Sequence, residues 1–241
     1  MKAVSLALSI VFLAGSAAVA ARADEVTADV PAPPVSEVPV MPGGGNYFTV
    51  PVTSLKMSKF KSIYLQQYDF SCGSAAVASL LTFHYHRPTS ETTVFKAMWD
   101  VGNQDKIKEE GFSLLDMKNY LASIGLPSDG YEVSIDKLAE IKLPAITLIE
   151  TNGYKHFVIL KGVKEDRVLI GDPARGTYTE DRAEFESRWD KVALLVKSEV
   201  DVAQASFNRE ADWSAQPKAP IDTAFRQQGL SSFMLHLPNR F

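Results

Sequence analysis

Cysteine is almost absent from this 241-residue sequence, in which Cys72 is the single one. A lone cysteine cannot form a disulfide within its chain, so no disulfide framework holds the fold together. Such a residue is either a small buried hydrophobe or a reactive group, and the count alone does not distinguish them. The sequence around Cys72 has to decide between these two interpretations.

Strong charge and long apolar runs are also missing. The 25 basic and 29 acidic side chains leave a net charge of −4, which provides no positive field for nucleic acid or anionic lipid. Beyond the first residues, no apolar run approaches the ~18 residues of a membrane-spanning helix. The composition is ordinary for a globular protein and allows one domain of roughly 150 residues. We therefore expect neither nucleic acid nor a stable membrane span.

The first 23 residues have the pattern of a secretory signal peptide. Lys2 supplies the positive start, residues 3–14 are mainly apolar, and small residues follow that permit cleavage after Ala20 or Ala23. Residues 24–47 contain five prolines and three consecutive glycines, as in a linker without a core. We expect an exported, periplasmic protein whose globular domain covers residues 48–198.

Hydrophobic periodicity within that domain predicts helices first and strands afterwards. A strand-like piece at 63–67 precedes a helix from Cys72 to just before Pro88, and further helices are expected at 89–101 and 113–124. Strands are predicted at 145–149, 154–160, 167–171 and 192–196, with a short helix or turn at 180–189. This order predicts an α+β fold. Residues 199–241 are expected to be a C-terminal extension that wraps the domain or stays mobile.

The predicted helix places Cys72 at its first residue, where a thiolate is stabilised. Backbone N–H groups of the first turn have no intrahelical partner, and the helix dipole adds partial positive charge there. Gly73 leaves room for a substrate backbone to approach. This placement favours a nucleophile over an inert buried cysteine, although the second interpretation stays open.

A nucleophilic cysteine needs a base, and the chain has four histidines. His84 and His86 follow Cys72 on the same helix, some three turns or ~18 Å away at ~1.5 Å per residue, and cannot serve as its base. They also do not share a helix face as a metal pair would. His236 lies in the polar extension with no partner nearby in sequence. This leaves His156.

His156 begins an apolar strand, and the next strand ends at Asp172-Pro173. If the turn between them centres on Lys164, residue 156 lies directly opposite residue 172, with Cβ atoms ~5 Å apart on one side of the sheet. A carboxylate there can orient the imidazole and stabilise its charged form. A one-residue slip would separate the two side chains. The alternative is that Asp172-Pro173 is only a turn.

The negatively charged oxygen that forms on an attacked carbonyl requires hydrogen-bond donors. Gln66 lies six residues before Cys72 and could supply its side-chain amide beside the Cys72 backbone N–H. The adjacent Gln67 is an equal competitor, and spacing alone does not choose between them.

Three segments together resemble the peptidase C39 family, which has a papain-like fold. Residues 66–76 resemble its motif of a glutamine six residues before Cys-Gly-x-Ala, residues 156–160 its histidine strand and residues 171–176 its Asp-Pro segment. The resemblance spans roughly residues 65–196 and implies no metal or organic cofactor. By residue, it implies Cys72 as nucleophile, His156 as base, Asp172 as orienting carboxylate and Gln66 as oxyanion donor.

The sequence departs from familiar family members at two points. Ser71 stands where many of them have an acidic residue, and those members are cytoplasmic domains of transporters, without a signal peptide. The resemblance therefore implies an exported endopeptidase that cuts a secreted polypeptide, a component of functional amyloid or peptide secretion, after small residues. The alternative is a catalytically idle papain-like protein that binds or chaperones a polypeptide in a periplasmic secretion system.

Overall fold

The structure is a computed structural model that describes residues 36–40, 48–52, 54–151 and 153–214. The predicted signal peptide, most of the predicted linker and residues 215–241 lie outside the described residues. One part of the linker range is described as strand β1 (Ser36–Val40), which pairs antiparallel with β2 (Phe48–Val52).

The helices are mostly short, and the first five of those described precede the main sheet along the chain. Their bounds are α1 Leu55–Ser58, α2 Cys72–His84, α3 Glu91–Val101, α4 Gln104–Glu110, α5 Leu114–Ser123, α6 Ile135–Ile141, α7 Arg182–Arg188, α8 Val200–Ser206 and α9 Glu210–Trp213. The sequence predicted α2, α3, α5 and α7, and it missed α1, α4, α6, α8 and α9. Ser113 caps α5 through a reciprocal pair of hydrogen bonds with Asp116, and Gly125 follows the helix in the left-handed region.

A six-stranded antiparallel sheet forms the other layer, in the order β3-β8-β4-β5-β6-β7. The strands are β3 Ser128–Glu132, β4 Ala145–Thr151, β5 Tyr154–Lys164, β6 Arg167–Asp172, β7 Gly176–Asp181 and β8 Trp189–Val196. Helix α2 is buried along most of its length, and its small residues Ala75, Ala76 and Ala78 let it pack closely on the sheet. The fold is α+β, as the sequence predicts.

The segment at 63–67 is not a strand, contrary to the prediction. The backbone N–H of Tyr64 donates to Ser79 Oγ (2.8 Å), and that of Gln66 donates to the Pro173 carbonyl (2.9 Å). These partners lie on a helix and in a loop rather than on a neighbouring strand. Ile63 and Tyr64 are buried in the core, whereas Leu65 is exposed.

The hairpin of β5 and β6 also differs from the predicted register. Lys164 pairs with Arg167, so the turn lies at residues 165–166, and Lys161 stands unpaired in a β-bulge. Beyond the bulge Ile159 faces Gly171, which brings residue 158 rather than 156 opposite residue 172. The predicted register is therefore wrong by two residues, an even shift that leaves 156 and 172 on the same face.

The first part of the C-terminal extension packs against the domain. Helices α8 and α9 follow β8, and Ala203, Phe207 and Asp212 are buried. No helix among the described residues has the length and apolar character to cross a membrane.

Candidate active site

Neighbouring strands bring His156 and Asp172 into direct contact. His156 Nε2 lies 2.7 Å from Asp172 Oδ1, and both side chains are buried. The residues are diagonal neighbours across the strand pair, a separation that a histidine ring can span. The contact is a charge-assisted hydrogen bond when the ring is protonated.

Asp172 is held as a carboxylate by the loop that follows it. Its Oδ1 also accepts hydrogen bonds from the backbone N–H groups of Ala174 (2.7 Å) and Arg175 (3.1 Å). Burial alone would raise the pKa of Asp172, but the bonds from His156 and from these two N–H groups lower it below its usual value. The alternative from the sequence is that Asp172-Pro173 is only a turn. The Asp172 carboxylate does accept hydrogen bonds within that turn, but it also contacts His156.

The charged form of His156 is strongly favoured. Burial would lower the pKa of the imidazole, but the hydrogen bond to Asp172 and the interactions with Asp172 and the nearby Cys72 raise it to about 9. Nδ1 is buried and has no hydrogen-bond partner at normal distance among the described residues. Since Asp172 occupies Nε2, Nδ1 is the ring nitrogen left to face the Cys72 thiol.

Cys72 is the first residue of α2, as the sequence predicts, and it is buried with 6% of its surface exposed. The preceding Ser71 does not cap the helix, because its Oγ lies 2.6 Å from Glu91 Oε1. Ser71 therefore leaves α2 uncapped, and the first N–H groups of the helix are available to a negative charge. A thiolate or an oxyanion at this point meets both the free donors and the helix dipole. The prediction that Gly73 leaves room for a substrate backbone is wrong, because a Cβ at Gly73 would lie 2.6 Å from Met117 Cε, so the glycine makes room for that side chain.

Gln66 is tied to the loop that leads into Cys72. Its backbone is bonded to Pro173, and its side-chain Nε2 donates to the carbonyls of Tyr68 (3.0 Å) and Asp69 (3.4 Å). Gln67 is exposed, and its backbone N–H donates to Glu91 Oε1 (3.3 Å). The role of Gln66 as oxyanion donor stays a prediction.

Two residues near the site escaped the sequence analysis. Tyr154 donates through its hydroxyl to the Asp69 carbonyl (3.0 Å), and its ring stacks beside His156 with centroids 6.1 Å apart. The period-2 spacing from His156 could have indicated this shared face. Glu91, which anchors Ser71 and Gln67, lies at the start of another helix and carries no local sequence signal.

The remaining histidines stay away from Cys72 as far as they are described. His84 is buried, with Nδ1 2.7 Å from Ser206 Oγ, and His86 is exposed. His236 lies outside the described residues. Within the described part of the chain, no three His, Cys, Asp or Glu side chains are grouped so as to hold a metal ion.

A cleft of about 830 Å³ opens beside the thiol. Cys72 and Tyr154 line it together with apolar side chains, among them Phe112, Leu114, Leu115 and Phe157. Leu115 and Tyr154 are exposed, at 61% and 55%. Charged side chains also line the cleft, among them Lys106, Glu109 and Glu110, so that apolar and charged groups lie beside one nucleophile.

The structure thus brings a thiol, an imidazole and a carboxylate together beside the start of α2. The chain belongs to the peptidase C39 family, whose sequence model matches residues 60–201. The resemblance inferred from residues 65–196 is thereby confirmed.

Similar proteins include the "Probable functional amyloid protease FapD" of Pseudomonas fluorescens, which is 37% identical over 182 residues, 75% of this chain and 80% of that protein. The protein of that name in Pseudomonas aeruginosa is 37% identical over 158 residues, 66% of this chain and 70% of that protein. Among solved structures, a double glycine motif protease from an AMS/PCAT transporter, in complex with the leader peptide, is 27% identical with a TM-score of 0.47. The match covers 56% of this chain and 89% of that one.

Proposed function

We propose that this protein is an exported cysteine endopeptidase that cleaves a secreted polypeptide of a functional-amyloid system. The observation that carries the proposal is His156, which joins Asp172 through Nε2 and leaves Nδ1 for the thiol of Cys72. The relatives named as functional amyloid proteases support the substrate class.

In the proposed reaction, the Cys72 thiolate attacks the carbonyl carbon of the scissile peptide bond while His156 carries the proton. The carbonyl oxygen becomes an oxyanion, which the free N–H groups at the start of α2 stabilise. His156 then donates its proton to the nitrogen of the leaving amine, the C–N bond breaks, and a thioester remains on Cys72. The imidazole next takes a proton from water, hydroxide attacks the thioester, and the acid product leaves with Cys72 and His156 restored.

The second oxyanion donor in this scheme is Gln66. Its contact with the Asp69 carbonyl is long, at 3.4 Å, whereas its contact with the Tyr68 carbonyl is shorter, at 3.0 Å. The N–H on the longer contact is the weaker-held of the two. We expect it to turn toward the oxyanion when substrate fills the cleft, while the other keeps the amide in place.

The first test is the rate at which iodoacetamide alkylates Cys72 between pH ~4 and ~9, in the wild-type protein and in His156→Ala. Rapid alkylation at pH ~6 that is lost in His156→Ala supports the thiolate–imidazolium pair, because an ordinary thiol ionises only near pH ~8.5. Slow alkylation that rises only near pH ~8.5 in both proteins contradicts it. That result would favour the idle binding protein.

Substrate and location need separate measurements. Purified amyloid subunit incubated with wild-type protein should yield a cut after a small residue, and Cys72→Ala should yield none. Cell fractionation should place the protein in the periplasm with its first 20 or 23 residues removed, as mass spectrometry of the intact protein can show. A cytoplasmic protein that keeps residues 1–23 would contradict export without affecting the chemistry.

A further inference from the structure

The β-bulge at Lys161 determines whether His156 and Asp172 lie on the same face of the sheet. On the turn side of the bulge, odd-numbered residues of β5 face even-numbered residues of β6. Side chains alternate along a strand, so that register extended without the bulge would put His156 and Asp172 on opposite faces. Beyond the bulge Ile159 faces Gly171, and the two even-numbered residues share a face. The site requires this one extra residue.

The bulge residue itself is held by a buried polar network. Lys161 is fully buried, and its Nζ donates to Ser62 Oγ (2.6 Å) and to the Ser62 carbonyl (3.1 Å). Asp212 Oδ2 lies 3.1 Å from the same ammonium, and Asp212 Oδ1 accepts from Ser62 Oγ (2.6 Å). A charge buried in this way is costly unless it is paired, so the partners fix where the Lys161 side chain can lie.

Asn208, just after α8, forms hydrogen bonds to the same bulge through both its backbone and its side chain. Its N–H donates to the Lys161 carbonyl (2.9 Å), and Nδ2 donates to the Val163 carbonyl (3.0 Å). Together with Asp212 it forms what we call the bulge clamp, residues 208–212. Both residues lie beyond residue 201, where the family match ends.

Two glycines in the strands make room for the clamp. A Cβ added to Gly162 would lie 2.2 Å from Asn208 Oδ1, and one added to Gly171 would lie 2.9 Å from Lys161 Cδ. Glycine inside a strand usually marks a close approach of other groups. Gly171 alternates with Asp172, so the Lys161 stem crosses the sheet face opposite to the active site. Lys161 therefore acts on the site only through the backbone.

We propose that Lys161, held by Asp212 and Asn208, is a positioning residue that fixes the strand register in which His156 meets Asp172. The inference rests on the proposed cysteine-peptidase function. It assigns residues 208–212 an indirect, positioning role in the reaction, although none of them lines the substrate cleft.

The decisive variant is Lys161→Met, which keeps the apolar stem over Gly171 and removes only the ammonium. Asp212 keeps its bonds from Arg209 and Ser62, so no charge is left unpaired. Asn208→Gly is a milder variant, since Asn208 has φ 60 and glycine adopts that conformation freely. Leu126→Ala is the matched control, because it truncates a fully buried side chain outside β5, β6 and the clamp.

Two readouts report the site rather than stability. The first is alkylation of folded Cys72, which at pH ~6 should slow about tenfold or more in Lys161→Met and about threefold in Asn208→Gly, with little change at pH ~9.5. The second is NMR titration of His156 in histidine-labelled protein, which should move from about 9 to lower pH in both variants. Leu126→Ala should melt earlier and leave both readouts unchanged.

Wild-type profiles in a folded Lys161→Met protein would overturn the proposal. If that variant does not fold, unchanged profiles in Asn208→Gly overturn it instead. Failure of the proposed function looks different, since wild-type Cys72 would then alkylate slowly at pH ~6. The titration of His156 depends on its contact with Asp172 and still tests the clamp in that case.

Discussion

A single oxygen atom of Asp172 accepts three hydrogen bonds, from His156 Nε2 and from the N–H groups of Ala174 and Arg175. The amide oxygen of asparagine can accept the same three bonds but carries no charge. We expect Asp172→Asn to keep the fold and to lower kcat/KM about tenfold, because papain-like sites also work with asparagine in this position. Asp172→Ala should lower it by about a hundredfold or more and cost about 1–3 kcal/mol in the free energy of unfolding.

Steady-state cleavage of a peptide substrate and urea unfolding of both variants would check this expectation. Wild-type activity in Asp172→Ala would show that the carboxylate does not orient His156. A loss in Asp172→Asn as large as that in Asp172→Ala would show that the negative charge, rather than the hydrogen bond, is what the imidazole needs.

The protonation of His156 gives a second expectation at this scale. Its pKa is raised to about 9 in the folded protein against ~6.5 when unfolded, so the protonated ring stabilises the fold. This contribution is complete below pH ~6.5 and disappears as the pH rises through about 9. We expect NMR titration of His156 to show a midpoint near 9, and a lower midpoint in Cys72→Ala, where the thiolate is gone. A wild-type midpoint at or below ~6.5 would contradict the charged pair.

At the level of secondary structure, helix α3 binds the loop that precedes Cys72, the first residue of α2. Glu91, its first residue, is buried and accepts from Ser71 Oγ and from the Gln67 N–H. Burial raises the pKa of Glu91, and these two bonds act against that rise. We expect Ser71→Ala to cost about 1–3 kcal/mol in the free energy of unfolding, since the buried carboxyl loses its shortest bond.

Thermal and urea unfolding of Ser71→Ala, with the exposed Thr92→Ala on the same helix as control, would measure this cost. The same variant also tests whether the Ser71–Glu91 bond holds the loop before Cys72 in the reactive geometry. Faster alkylation of Cys72 than in the wild-type protein would show that the link does not support the reactive geometry.

The elements also show how far the sequence alone could go. Helices α2, α3 and α5 and four strands of the main sheet could be predicted, because their apolar residues recur with a clear period or form aliphatic runs. Helix α4 escaped because it buries Ile107 alone, and β7 escaped because Gly-Thr-Tyr-Thr-Glu-Asp contains no aliphatic run. These elements owe their conformation to the tertiary structure around them rather than to a local pattern.

The residues of the site could be selected from the sequence, whereas the strand register that brings them together could not. Cys72, His156 and Asp172 could be selected from residue type and spacing, since the cysteine is unique and the histidines are few. The bulge at Lys161 could not be selected, because a lysine in an apolar strand normally indicates a surface position. Its partner Asp212 lies 51 residues away, and only the folded chain shows that the two charges meet.

For the molecule as a whole, the domain extends beyond the part that matches the family. Residues 60–201 match the peptidase C39 family, yet Ser206, Phe207 and Asp212 follow that range and complete the interior. Ser206 is the hydrogen-bond partner of the buried His84, and Asp212 pairs with the buried Lys161. Burial lowers the pKa of both His84 and Lys161, the latter to about 8, although the Asp212 charge opposes the change at Lys161. The chain between 201 and 214 is therefore part of the peptidase domain.

Truncation tests this boundary. A protein of residues 24–201 leaves Lys161 without Asp212 and His84 without Ser206, and an unpaired buried charge alone costs about 3–5 kcal/mol. Since a domain is stable by only about 5–15 kcal/mol, we expect this fragment to lose its cooperative melting transition. A protein of residues 24–214 restores both partners and should melt like residues 24–241, with the same alkylation of Cys72 at pH ~6. Circular dichroism melting of the three proteins separates the alternatives. If residues 24–201 melt within a few degrees of residues 24–214, then α8 and α9 add nothing to the core, and the domain ends where the family match ends.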